Sequence, residues 1–293
     1  MAFAAGIRSG HEKEMAAKLV NAWIEGGGWG NSLSFSPWNW LRGRGLSDRG
    51  GLLKMLNDLV KPCKSSEKRE VELRIIVAPL NGVQGAIGST PATTYEKFFH
   101  FSGKDFDTAE GLARIFEATT AACAFPGLFA PVELDGLGPC VDGGAVNNAP
   151  IKYALDEGDI DQVIMPIPFP ALMPAGGSRH GLGLLNHLIE ILINERLYRD
   201  LKDAQVINEK VAALDKLVSN GELSLAQVKA VKKVLGNRLV QVVEIRPDQS
   251  TSKNAFSGFF SKKDRVCLVD EGRKAALKSL SQLKPTSESI AHP

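Results

Sequence analysis

Along the chain the spacing of apolar residues changes several times, and each change predicts an element. The stretch 12–25 is amphipathic at helical spacing and runs into Gly26, Gly27, Gly28, Trp29 and Gly30. Such a run predicts a helix stop, because glycine is favoured just past a helix end. A short helix is expected over 52–59. At 71–79 the period falls to two: Val71, Leu73, Ile75 and Val77 alternate with polar neighbours until Ile76 and Ala78 make both faces apolar, which predicts a strand. A helix over 108–120, a turn around Asp142, a helix at 151–155 and a strand at 162–167 follow. Strands alternating with helices argue for an α/β fold built on a parallel sheet.

Helical spacing dominates from Gly181 onward, where Leu184, Leu185, Leu188, Ile191 and Leu192, continued by 195–201, form a wide apolar face. Ser224 and Gln227 have the spacing of a capping box that opens a helix over 225–235. A strand at 239–245 and an amphipathic helix at 270–283 close the pattern. The Pro- and Gly-rich stretch 168–180 reads as a connection and 285–293 as a frayed tail. The chain thus divides into a core over 1–167 and a helical, closing part over 168–293.

Composition narrows the function classes. With 293 residues, 44% hydrophobic and 23% charged, the chain can bury a substantial core. Its 35 basic and 33 acidic residues leave a net charge of +2, so no bulk attraction to nucleic acid or acidic lipid is expected. Cys63, Cys123, Cys140 and Cys267 are scattered without a C-x-x-C spacing, which fits a reducing, cytoplasmic compartment and gives no zinc site. Cys123, among Ala121, Ala122, Ala124 and Phe125, reads as a small buried residue rather than a thiol nucleophile. His11 lacks the second histidine of a metalloprotease motif, and His180 and His187 have no acidic ligand beside them, so no metal is expected. No stretch approaches the roughly 18 apolar residues of a membrane span, and the given start lacks the pattern of a signal peptide.

The candidate chemistry centres on Asp142. Pro126 and Gly127 break the structure ahead of it, and Gly143 and Gly144 directly after it let the backbone turn tightly with little side-chain bulk near the carboxylate. Taken alone, the same string also fits an Asx turn in which the carboxylate binds nothing but nearby backbone.

The run 118–154 resembles the second catalytic block of patatin-like acyl hydrolases: a small-residue helix, the turn Phe125-Pro126-Gly127, an apolar strand, Asp142-Gly143-Gly144, then Asn148-Ala149-Pro150 with Ala154. The string Asp161-Gln162-Val163-Ile164-Met165-Pro166 is similar to the family's next strand, and weaker likeness extends over 38–59, 71–78 and 256–277. The resemblance implies a three-layer α/β sandwich with a mostly parallel central sheet. It also implies hydrolysis of lipid acyl esters by a Ser–Asp dyad, in which a serine on a Gly-x-Ser-x-Gly elbow attacks the ester carbonyl and Asp142 is its base. Gly143 and Gly144 would support the turn, while Pro126 and Asn148 would shape the site. The implied partner is a lipid acyl ester, with peripheral contact to a membrane; the family reaction uses no metal, organic cofactor or nucleic acid.

No Gly-x-Ser-x-Gly occurs in the chain, and the nearest strings, Gly30-Asn31-Ser32-Leu33-Ser34 and Gly88-Ser89-Thr90-Pro91, lack the two flanking glycines. Met1-Ala2-Phe3-Ala4-Ala5-Gly6 has no capping residue ahead of it and is similar to the family helix that follows the elbow. The expectation is therefore that the first strands, the glycine-rich oxyanion loop and the nucleophile elbow are missing from the N-terminal side of this sequence. The Asp142 turn should then end a parallel strand beside the start of the first helix. The alternative is a homologue without the dyad, a non-catalytic lipid-binding or regulatory protein. The apolar face beyond Gly181 could act as a lid or a lipid-docking surface, though packing against the sheet is the plainer reading.

Overall fold

The computed structural model describes residues 1–28, 34–35, 38, 45, 47–48, 50–87, 89–147, 150–151, 153, 160, 162–167, 181–235, 240–248, 258 and 261–281. The chain forms two compact units, Met1–Asn148 with Asn254–Cys267, and Ala149–Lys253 with Leu268–Pro293. The expected connection at 168–180, most of the expected helix at 151–155, and the tail at 285–293 lie outside the described residues.

The first unit opens with helices α1 (Ala2–Arg8) and α2 (Glu12–Gly26), a short antiparallel ladder of β1 (Ser34–Phe35) with β2 (Ser47–Asp48), and helix α3 (Gly50–Leu59). α2 stops where the glycines predict, but the reason is packing. Gly27 has φ −70°, outside the left-handed region, and its N–H donates to the Trp23 carbonyl. A Cβ there would fall 2.5 Å from the Trp23 ring, so the indole excludes a side chain.

Four strands form the sheet of this unit, in the order β6 (Lys97–Ser102), β3 (Glu72–Pro79), β8 (Gly138–Asp142), β7 (Val132–Leu134). Between β3 and β6 the chain makes a separate antiparallel hairpin, β4 (Val83–Ile87) with β5 (Thr90–Thr94). All three pairings in the four-stranded sheet are antiparallel. The expectation of a parallel sheet around Asp142 is corrected here, and connection length gives part of the reason. The link between β7 and β8 is residues 135–137, a hairpin length, whereas parallel neighbours need a crossover of a dozen residues or more.

Helix α4 (Ala109–Ala122) is opened by Thr108, whose hydroxyl accepts from the Gly111 N–H at 3.0 Å. Ile115, Ala118 and Ala121 follow one another at helical spacing and join Val77, Phe101 and Cys140 in a single buried cluster. Ala2 and Ala5 of α1 enter the same cluster. Burying a side chain such as Val77, Phe101 or Ile115 contributes roughly 1.5–3 kcal/mol. Arg8, at the end of α1, is 5% exposed. It donates to both oxygens of Asp107 at 3.2 and 2.9 Å and to the Arg69 carbonyl at 3.0 Å. Asp107 ends the 3-10 turn Gly103–Asp107 after β6, so the pair ties α1 to the sheet.

In the second unit β9 (Gln162–Pro166) and β10 (Gln241–Ile245) pair in parallel. Helix α5 (Gly181–Ser219) is a single element about 58 Å long at 1.5 Å per residue. Leu197 of α5 is buried against Ile167, with Met165 and Leu201 around them. Asn208 donates to the Val240 carbonyl at 2.8 Å and accepts from its N–H at 3.0 Å, fastening the helix to the start of β10. Helix α6 (Leu225–Leu235) has the expected capping box, with the Ser224 N–H donating to Gln227 Oε1 at 2.9 Å and the Gln227 N–H to Ser224 Oγ at 3.3 Å. Helix α7 (Lys262–Ser281) begins two turns earlier than its apolar pattern suggests. Ser261 caps it, its hydroxyl accepting from the Asp264 N–H at 3.2 Å.

Candidate active site

β8 delivers Asp142 to its C-terminal end. Cys140, Val141 and Asp142 lie opposite Pro79, Ala78 and Val77 of β3, and the Asp142 N–H donates to the Ala124 carbonyl at 3.0 Å, just past the end of α4. The backbone then turns through the 3-10 segment Gly143–Ala145. Asp142 Oδ1 accepts from the Gly144 N–H at 2.7 Å, while the Val146 and Asn147 N–H groups both donate to the Gly143 carbonyl, at 3.0 and 2.8 Å. A Cβ on Gly143 would stand 2.1 Å from the Ile76 carbonyl oxygen. Gly143 is thus required by close approach to β3, and Gly144 serves through its N–H.

The Asx-turn geometry is therefore real, and it does not exhaust the residue. Burial pushes the Asp142 carboxyl above its ordinary value, and the Gly144 N–H offsets part of that rise. Among the described residues, that N–H is its one hydrogen-bond partner. A carboxylate with raised basicity and little compensation is suited to taking a proton.

The start of α1 lies against α4. Thr119 of α4 directs its hydroxyl to Met1 Sδ at 3.4 Å. Burial pushes the Met1 α-amino group below its ordinary value, and the charge that partly opposes this is Cys123, the residue capping α4. Cys123 precedes Ala124, which receives the Asp142 N–H. Met1 thus packs at the C-terminal part of α4, while β8, which carries Asp142, runs antiparallel to both of its partners. A largely apolar cavity of about 660 Å³ opens beside Met1, lined by Leu53, Val60, Leu112, Phe116 and Val132.

Of the supporting residues, Pro126 is exposed in the loop after α4, where the Leu128 and Phe129 N–H groups donate to the Phe125 carbonyl at 3.2 and 3.0 Å. Gly127 beside it has φ +84°, a conformation that favours glycine. Asn148 lies outside the described residues. Its neighbour Asn147, which sequence reasoning passed over, is 6% exposed and donates to Glu96 Oε1 at 2.9 Å. Among the described residues its Oδ1 is a buried acceptor without a partner. The doubled asparagine was the available signal, but the sequence pattern does not say which of the two turns inward.

The four cysteines are free thiols, and no cluster among the described residues could hold a metal ion. His11 precedes α2 and His187 lies on α5, while His180 is outside the described residues. No described helix is long and apolar enough to cross a membrane. Among known families, the model described as patatin-like phospholipase matches residues 2–155, more than half of the chain. No curated protein and no solved structure matches.

Proposed function

Because this chain belongs to the patatin-like phospholipase family, we propose that it serves lipid acyl ester hydrolysis by a Ser–Asp dyad, of which it carries the general base, Asp142, and no Gly-x-Ser-x-Gly elbow. The observation that carries this reading is the carboxyl itself, turned on two glycines at the end of β8 and raised by burial. In the reaction, the serine oxygen bonds to the ester carbonyl carbon while Asp142 takes the serine proton. The proton then passes to the departing alcohol, leaving an acyl-serine. Water, deprotonated by the same carboxylate, attacks that ester, and the proton returns to the serine as the fatty acid leaves. Positioned proton transfer of this kind contributes roughly 10²- to 10⁴-fold.

Membership of the family supports a lipid acyl ester as the substrate class. Gly143 and Gly144 hold the turn, and Pro126 and Asn148 are assigned no chemical step. The test is to extend the coding sequence in frame ahead of Met1 and assay hydrolysis of activated acyl esters. The extended protein should turn over, and Asp142→Ala should lower its rate by at least about 10²-fold; residues 1–293 alone should stay at background. An in-frame stop ahead of Met1, with lipid binding and no turnover, would replace this reading by the non-catalytic one, a lipid-binding or regulatory homologue.

A further inference from the structure

One side of α5 carries a seven-residue repeat with a buried and an exposed line of positions. Leu197, Ala204 and Val211 are buried. One position further round the helix, Leu184, Ile191 and Tyr198 keep the same spacing but are 39, 47 and 62% exposed, and Gln205 and Ala212 continue the line. A groove of about 1130 Å³ runs beside this stripe, bounded across from the helix by Val242, Glu244 and Arg246 of the β10 segment. On that far wall Arg246 pairs with Glu244. On the helix side Glu195, Lys202 and Glu209 line the rim with alternating sign and Lys216 continues the series beyond the groove, each four residues after a stripe position and therefore on the same flank; Glu195 also pairs with Arg199, and Glu209 accepts from Gln205.

We propose that this groove receives a second copy of the chain, docked through its own α5 in antiparallel orientation. The order of charges specifies that occupant. About a two-fold axis between Gln205 and Val206, Lys202 meets Glu209 of the second copy and Glu195 meets its Lys216, and symmetry repeats each contact. A shift of seven residues along the helix brings Lys202 against Lys202 and Glu195 against Glu209, so the alternation selects one register. In that register Tyr198 lies diagonal to Ala212 of the second copy, large against small, which lets two helices approach to the usual 8–10 Å or about that. The contact is self-complementary, as a two-fold interface requires. A fatty acid in the groove would find a rim of mixed sign with no excess of positive charge for its carboxylate.

The test is sedimentation equilibrium of the whole chain over about 1–100 μM, a range that brackets micromolar affinity. A reversible dimer is expected. Lys202→Glu turns two attractive contacts into two repulsive ones and should raise the dimer Kd by about tenfold or more, and adding Glu209→Lys should restore it. Tyr198→Ala should also weaken the dimer. Circular dichroism and thermal unfolding of each variant establish that it is folded. A chain that stays monomeric across the range, including one that binds a fatty acid in the groove instead, would overturn the proposal. So would a dimer indifferent to Lys202→Glu, or one that the charge exchange fails to restore.

Discussion

Two aspartates of the first unit, Asp107 and Asp142, each end a stretch of backbone at the edge of the same buried core, yet their carboxyls are driven in opposite directions. Asp107 is gripped by both arms of Arg8 and by Lys68 at 2.8 Å, and its pKa falls to about 2. Among the described residues Asp142 accepts from a single backbone N–H, and burial raises its pKa. Burial is much deeper at Asp142 and is the main cause of its rise, whereas at Asp107 the Arg8 and Lys68 cations outweigh a smaller burial cost. A carboxylate whose charge is cancelled by cations holds structure together, whereas one left with an uncompensated burial cost is what selection tolerates at a working site.

The largest effect should come from the turn that makes Asp142 possible. Gly143→Ala forces a methyl onto the Ile76 carbonyl, and urea unfolding should show a loss of about 3 kcal/mol or more. Gly136→Ala, at φ +73° with nothing within 4 Å, should cost only about 1 kcal/mol. Equal losses would mean that the Asp142 turn is not tightly held. Next, Arg8→Met strands a partly buried Asp107 with Lys68 alone and should cost about 3 kcal/mol, the usual result of removing one partner of a buried pair.

Acid should single out Asp107. Its folded pKa lies below the ordinary value, so its contribution is fully present above about pH 4, is lost as the pH falls toward 2, and amounts to roughly 2 kcal/mol. Asp107→Asn should remove that part of the pH dependence of unfolding. For Asp142 the sign is reversed. A folded pKa above the unfolded one means that ionising the group in the native state lowers stability as the pH rises through that window. Asp142→Asn should therefore change stability at pH 7 by less than about 1 kcal/mol, in the stabilising direction. A substantial loss instead would make Asp142 a structural residue like Asp107.

Much of this comparison was legible in the sequence on one side and hidden on the other. Asp142 announced itself through Gly143 and Gly144, because a tight turn beside a carboxylate needs small residues in adjacent positions. Arg8–Asp107 gave no signal, since its partners stand 99 positions apart and each reads as an ordinary surface charge. The helices at 12–25, 108–120 and 225–235 were readable from periodicity and caps, as was the strand at 71–79. The hairpin of β4 and β5 was not: Val83–Ile87 and Thr90–Thr94 contain few large apolar residues, and both strands are largely solvent-facing. Strand direction was misjudged for a related reason, as alternation of strand and helix along a chain does not fix which strands become neighbours. α7 was begun too late because its first turns, Lys262, Lys263 and Asp264, are charged, and its anchoring comes from Arg265, which donates to the Ile24 and Gly258 carbonyls at 2.9 and 2.8 Å.

The most direct measurement is a carbon-13 NMR titration of the aspartate carboxyls, with Asp142→Asn and Asp107→Asn used to assign the two signals. Asp107 should titrate at about 2 and Asp142 above the ordinary aspartate value of roughly 3.9. An Asp142 signal titrating at or below that value would contradict the account, because a carboxylate that is no more basic than a solvated one has not been set aside to take a proton.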